Sequence, residues 1–98
     1  MIVVRDIFQI QPDQMKKAKE LARQAREILG GQGYSALRGM TDLTGEYYTM
    51  VWEGEYESLA DFEAAMGKAQ ANKKWGKFYP GFRKLIRGGR REIFQLLD

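Results

Sequence analysis

The chain has 98 residues, 44% of them hydrophobic, 30% charged and 12% aromatic, with a formal net charge of +3. That is room for one globular domain, expected over 1–98, and it is not the composition of a disordered chain. With no cysteine and no histidine, the chain lacks disulfides, thiol chemistry, iron–sulfur ligands, the commonest general base and the usual ligand of haem and zinc, so neither a metal nor a cofactor is expected.

No apolar run is long enough to span a bilayer. Met1-Ile2-Val3-Val4-Arg5-Asp6 runs straight into a strand pattern, without the basic, apolar and cleavage regions of a signal peptide. A cytoplasmic location with no membrane partner is expected.

From Ile2 to Gln11, Ile2, Val4, Phe8 and Ile10 share one parity, the period of a strand with one packed face. Val3 and Ile7 on the other parity predict that the second face is partly covered. Pro12 stops the strand, and Asp13 is the expected N-cap of a helix from about Gln14 to Leu29. Met15, Ala18, Leu21, Ala22, Ala25, Ile28 and Leu29 form its apolar stripe, and Gly30-Gly31 ends it.

Tyr34 to Met40 and Tyr47 to Tyr56 read as a hairpin whose connection holds the turn formers Asp42, Thr44 and Gly45. On the second of these strands Tyr48, Met50, Trp52 and Tyr56 face one way, and Thr49, Val51, Glu53 and Glu55 the other. Ser58 caps a second helix, with Asp61 as a capping-box variant and Leu59, Phe62, Met66 and Ala69 as its buried stripe. Gly76, Pro80 and Gly81 predict an irregular connection with a short helical piece between Trp75 and Arg87. Gly88-Gly89 reads as a turn before a last strand, Arg90 to Leu97, with Ile93 and Leu97 on one face and Phe94 and Leu96 on the other.

Strand, helix, strand, strand, helix, strand is the order of the ferredoxin-like βαββαβ unit, an α+β fold with an antiparallel four-stranded sheet and two helices on one face. The first and last strands carry apolar residues on both faces, so a lone copy would expose an apolar patch. A homodimer that buries it is the expectation.

The segment Val51-Trp52-Glu53-Gly54-Glu55-Tyr56-Glu57-Ser58-Leu59-Ala60-Asp61-Phe62 resembles the strand-to-helix junction of the dimeric α+β barrel superfamily, which includes antibiotic biosynthesis monooxygenase-like and NIPSNAP-like domains. Trp75 through Arg90-Arg91-Glu92-Ile93 is similar to the end of small members of that group. With the opening strand and its Pro12, the resemblance covers essentially the whole chain. It implies a homodimer whose two sheets face each other, with a pocket in each subunit between sheet and helices. Activities in that superfamily range from cofactor-free oxygenation of aromatic polyketides to haem degradation, and fold alone does not choose among them. The haem-degrading members use a histidine on the second helix, and this chain has none. In the monooxygenase-like members a tryptophan and an asparagine help position the substrate; Trp75 and Asn72 are residues of those types, expected on the second helix.

Charge is segregated along the chain. Asp42 to Glu63 holds only acids among its charged residues, and Lys68 to Arg91 only bases. Either the basic stretch is an anion site near the end of the second helix, or acidic and basic faces complement each other within or between subunits; the second is the commoner use of such runs. Nucleic acid is not the expected partner, since the third strand carries Glu53 and Glu55 where an RNA-binding sheet has stacking aromatics.

Trp75, Phe78, Tyr79 and Phe82 cluster as a candidate pocket, with Asn72, Tyr79 and Arg83 as its polar groups and Arg83 supplying charge at the mouth. Such a pocket suits a small aromatic or anionic ligand. A hydroxylated aromatic could lose its proton there and react with dioxygen without a cofactor. Asp6, on the apolar parity of the first strand, is the best carboxylate for a base, although an ion pair with Arg38 or Arg90 is its commoner use. Two classes stay open: a cofactor-free oxygenase-like enzyme, and a non-catalytic small-molecule-binding or interaction domain. The discriminating feature is whether Asp6 or another carboxylate faces the aromatic cluster.

Overall fold

The first strand, β1 (Ile2–Ile10), pairs on both sides, which makes it the inner member around which the other strands assemble. In the computed structural model, which describes residues 1–30 and 35–97, β2 (Ser35–Thr41), β3 (Thr49–Tyr56) and β4 (Ile86–Gln95) complete an antiparallel sheet in the order β2-β3-β1-β4. Three helices intervene: α1 (Met15–Gly30), α2 (Leu59–Ala71) and α3 (Lys73–Arg83). The architecture is the expected ferredoxin-like α+β fold with a third helix in place of the expected irregular segment. No described helix is long and apolar enough to cross a membrane.

The even-numbered side chains of β1 meet the helices and split the core in two. Ile10 is fully buried with Met50 and Trp52 of β3, Ala18 and Ala25 of α1, and Phe82 of α3. At the other end of the strand, Ile2 and Val4 pack with Tyr56, Phe62 and Ala65. Asp6 stands between the two clusters.

The helix ends differ from expectation in instructive ways. Asp13 adopts a left-handed conformation with φ 69°, so it turns the chain, and Gln14 takes the cap position, its carbonyl accepting from Ala18 N–H at 2.8 Å. Ser58 caps α2 as predicted, its hydroxyl accepting from Asp61 N–H at 3.2 Å. Leu59 is 55% exposed, and Ala65 rather than Leu59 joins the buried stripe. The third strand starts two residues later than expected, because Tyr48, with φ 60°, still belongs to the turn. Gly31 and Tyr34 lie outside the described residues.

Asn72 ends α2 and starts α3. Its N–H donates to Ala69 O at 3.0 Å, while its Oδ1 accepts from Lys74 N–H at 2.8 Å. A new cap thus restarts the chain as an eleven-residue helix that runs through Gly76, Pro80 and Gly81. Proline inside a helix costs about 3 kcal/mol. Burying Phe82 completely, stacked on Trp52 at 4.7 Å and edge-on to Phe8 at 5.3 Å, offsets a cost of that size.

Gly88 and Gly89 are strand residues, not a turn. Gly89 pairs with Phe8 and Gly88 with Gln9, after which the register shifts so that Ile86 opposes Ile10, leaving Arg87 as the extra residue of a β-bulge. The glycine at 89 answers a close approach: a Cβ there would stand 2.7 Å from the Ile7 carbonyl oxygen and 3.5 Å from Phe8 Cδ1. Gly88 has open space at the same point.

Among the described residues no helix covers the opposite face of the sheet. Val3 and Ile7 are nonetheless buried there. At its centre Glu53, 3% exposed, accepts from Arg5 Nε at 2.5 Å and from Arg38 Nε at 2.7 Å, with Arg38 Nη2 adding a third bond. The bond from Arg5, then that from Arg38, holds the Glu53 carboxyl below its ordinary value against the opposing effect of burial.

Two predictions come from these contacts. Gly89→Ala should lower stability by about 1–3 kcal/mol in urea unfolding through forced overpacking, whereas Gly88→Ala should be near neutral; equal effects would contradict the close approach. Because the folded carboxyl of Glu53 titrates below the ordinary value of 4.5, its contribution is complete above that pH and is lost as pH falls through the folded value. Glu53→Gln should therefore cost about 1–3 kcal/mol at neutral pH, and the gap from the parent should close in acid; a gap independent of pH would contradict the assignment.

Candidate functional site

The space between the two core clusters is a cleft of about 450 Å³ bounded by the sheet, α2 and α3. Its sheet side is formed by Asp6, Phe8, Trp52 and Arg91, and its helix side by Met66, Trp75 and Tyr79 together with the Gly76 and Pro80 turn of α3. Asp6 and Arg91 are the charged side chains among its described lining.

Strand register brings that pair together. Asp6 opposes Trp52 on β3 and Arg91 on β4, and the Arg91 guanidinium donates from Nε to Asp6 Oδ1 at 2.6 Å. Its Nη1 lies 3.2 Å from Met66 Sδ, and its Cζ sits 5.0 Å above the Phe62 ring. The guanidinium is thus held on three sides with donors to spare. The side chains remain partly exposed, 43% for Arg91 and 24% for Asp6, so the pair is accessible rather than sealed in the core.

The aromatic residues divide between cleft and core. Trp75 and Tyr79 line the cleft and stack on each other at 5.6 Å. Phe78 lies 5.3 Å from Trp75 and packs against the core, and Phe82 is buried within it. Asn72 spends its side-chain oxygen on the α3 cap and is not among the cleft-lining residues. Arg83 lines a neighbouring groove beyond Tyr79, and the cation in the cleft is Arg91. Asp6 does face the aromatic residues, but its ion-pair partner is Arg91 and not Arg38 or Arg90; Arg38 bonds Glu53, and Arg90 bonds Glu92 at 2.9 Å. Arg91 was detectable in the sequence, since it shares the parity of Ile93. Trp52 also lines the cleft, and its indole Nε1 is buried with no hydrogen-bond partner among the described residues.

The sequence matches the model of the NIPSNAP family over residues 5–98. The chain belongs to the NIPSNAP family. Its fold is similar to that of a NIPSNAP family protein from Agrobacterium tumefaciens, at a TM-score of 0.93 and 22% identity, covering 99% of this chain and 86% of that one. It is also similar to an antibiotic biosynthesis monooxygenase, at a TM-score of 0.78 and 16% identity with both chains fully covered. SnoaB, a cofactor-independent oxygenase from Streptomyces nogalater, superposes at a TM-score of 0.75 and 10% identity, covering 99% of this chain and 93% of that one. At these identities the structural likenesses establish the shared fold and no more. No curated protein matches the chain.

Proposed function

We propose that this NIPSNAP domain binds a small, flat aromatic compound carrying an acidic hydroxyl, with Asp6 placed to take the hydroxyl proton and Arg91 to hold the anion that results. The supporting observation is an aromatic-walled cleft whose charged lining is one carboxylate bonded to one guanidinium. Trp75 and Tyr79 offer ring faces to a planar molecule, and the spare Arg91 N–H groups suit an oxyanion.

Magnitudes narrow the substrate class. Moving a proton from a simple phenol to a carboxylate is uphill by about 6 pK units in water, or about 8 kcal/mol. One guanidinium contact supplies about 1.5–3 kcal/mol of that. The ligand must therefore delocalise its own charge, as polyhydroxylated fused rings or hydroxyls conjugated to a carbonyl do. Such an anion is electron-rich enough to pass electrons to dioxygen, and SnoaB, which shares the fold, is a cofactor-independent oxygenase. The second reading, a binder without catalysis, is favoured by the closed 2.6 Å pair, in which Asp6 already has a partner.

Calorimetric titration with hydroxynaphthoates and hydroxylated anthracenones, combined with an oxygen electrode, separates the readings. Arg91→Gln should weaken binding of the ionised compounds about 10- to 100-fold, the loss of a charged hydrogen bond. Asp6→Asn should retain binding and abolish oxygen uptake. Uptake unchanged in Asp6→Asn would remove the base assignment, binding without uptake in the parent would leave the binder, and no binding by any compound would remove both.

We also propose that two copies pair through their open sheet faces. That face presents Met40 and Phe94, 41% and 46% exposed, around the Arg5–Glu53–Arg38 group, and the chain end adds Leu96 and Leu97. Sedimentation at micromolar concentration should give twice the 11.3 kDa chain mass; a single-chain species alone would refute the pairing.

A further inference from the structure

The bulge in β4 brings two consecutive residues to the helix side. Arg87 keeps the parity of Gly89 and Arg91, which face the helices, and lines a groove there with Phe8 and Tyr79. Ile86, which an unbroken strand would turn to the open face, packs instead against the helix-side core. Arg83, in the last turn of α3, lines the same groove, which measures about 390 Å³ and has no acidic residue in its lining. Gly88 and Gly89 form its strand side, where backbone rather than side chains meets the space.

The charge balance of the chain leaves these arginines available. Among the described residues four ion pairs form, and none joins the acidic stretch Asp42 to Glu63 to the basic stretch Lys68 to Arg91. Arg90 and Arg91 pair with Glu92 and Asp6, whereas Arg83 and Arg87 enter no ion pair among the described residues. A second basic groove, lined by Lys19, Arg23 and Arg26 between α1 and β2, takes its cations from the outer side of one amphipathic helix, where solvated cations are the rule.

Phe8 and Tyr79 line both this groove and the aromatic cleft. We infer that the groove is an anion subsite, in which Arg83 and Arg87 bind a carboxylate or phosphate borne on an arm of the ligand whose flat part lies in the cleft across Tyr79. The arm rests on the cleft reading above; the anion site itself does not. The ligand class becomes an aromatic compound extended by a short acidic side chain rather than a bare ring system. Two arginines, one ending α3 and the other in β4, present guanidinium groups to one groove and suit the bidentate geometry of either oxyanion.

Amide NMR of the full chain tests the parts separately. Titrated with inorganic phosphate, the Gly88 and Gly89 amides should shift saturably, and the Arg83→Gln/Arg87→Gln double variant should raise the apparent Kd at least about tenfold, the loss of about 1.4 kcal/mol. Shifts that never saturate, or that persist equally in the double variant, would overturn the subsite. In calorimetry, 4-(2-naphthyloxy)butanoate should bind at least about tenfold more tightly than neutral 2-methoxynaphthalene, and the double variant should erase that advantage while leaving the neutral probe unchanged. Phosphate binding at the arginines with equal affinity for the two naphthyl probes would overturn the shared ligand and leave the anion site. Phosphate binding with neither naphthyl probe bound would count against the cleft reading and not against the anion site. Both arginines are exposed, and an unchanged circular dichroism melt of the double variant distinguishes lost binding from lost fold.

Discussion

The helical wall of the cleft depends on the seating of Phe82. It is fully buried against Trp52 and Phe8, and it sits in a helix whose own sequence argues against helix. Without that anchor α3 would have the Asn72 cap and the partly buried Trp75 and Phe78 to set against Pro80 and two glycines. With it, α3 is fixed over the sheet, and Trp75 and Tyr79, on the next turns toward the N-terminus, are held above the gap between the two core clusters. Tertiary burial creates the helix, and the helix creates the cleft wall.

Legibility in the sequence follows the same division. β1 and α1 were readable because their apolar spacing repeats with one clear period and their ends carry proline and glycine. α3 was not, because the reason it is helical lies in a long-range contact rather than in its own residues. Gly88-Gly89 misled for a related reason. Paired glycines suggest a turn, but at Gly89 the missing side chain answers the carbonyl of Ile7 on the neighbouring strand, a demand that one strand's sequence does not display. In the site, Trp75 and Tyr79 were found by clustering of aromatic residues, which detected Phe78 and Phe82 equally and had no means to separate wall from core. Arg91 was recoverable from parity alone, yet a basic stretch with several candidates hid it until register chose.

Two carboxylates on neighbouring strands show how environment separates structural from chemical roles. Glu53 and Asp6 lie one step apart in register, since Arg5 opposes Glu53 and Asp6 opposes Trp52, and that single step puts them on opposite faces. Glu53 is buried and receives bonds from two arginines, which hold it ionised and leave little of its oxygen surface for anything else. Asp6 has one arginine, retains a quarter of its side-chain exposure and opens on a space large enough for a ligand. A group fully satisfied by its neighbours stabilises the fold; one satisfied only in part can exchange its partner for a ligand.

The open face puts the same physics to a different use. Arg5 and Arg38 keep 45% and 69% of their side-chain exposure while bonding a buried glutamate. Covering them with a second copy would remove that hydration, a cost that a charge pair in low dielectric does not reliably recover. The stabilising surface in a sheet-to-sheet pairing must therefore come from Met40, Phe94 and the apolar chain end, with the charged group fixing how the two sheets align. Two arginines share one carboxylate within the same chain, so the group keeps a net charge of +1 before association. Pairing would bring two such groups together and desolvate them, a cost that only the apolar rim is placed to offset.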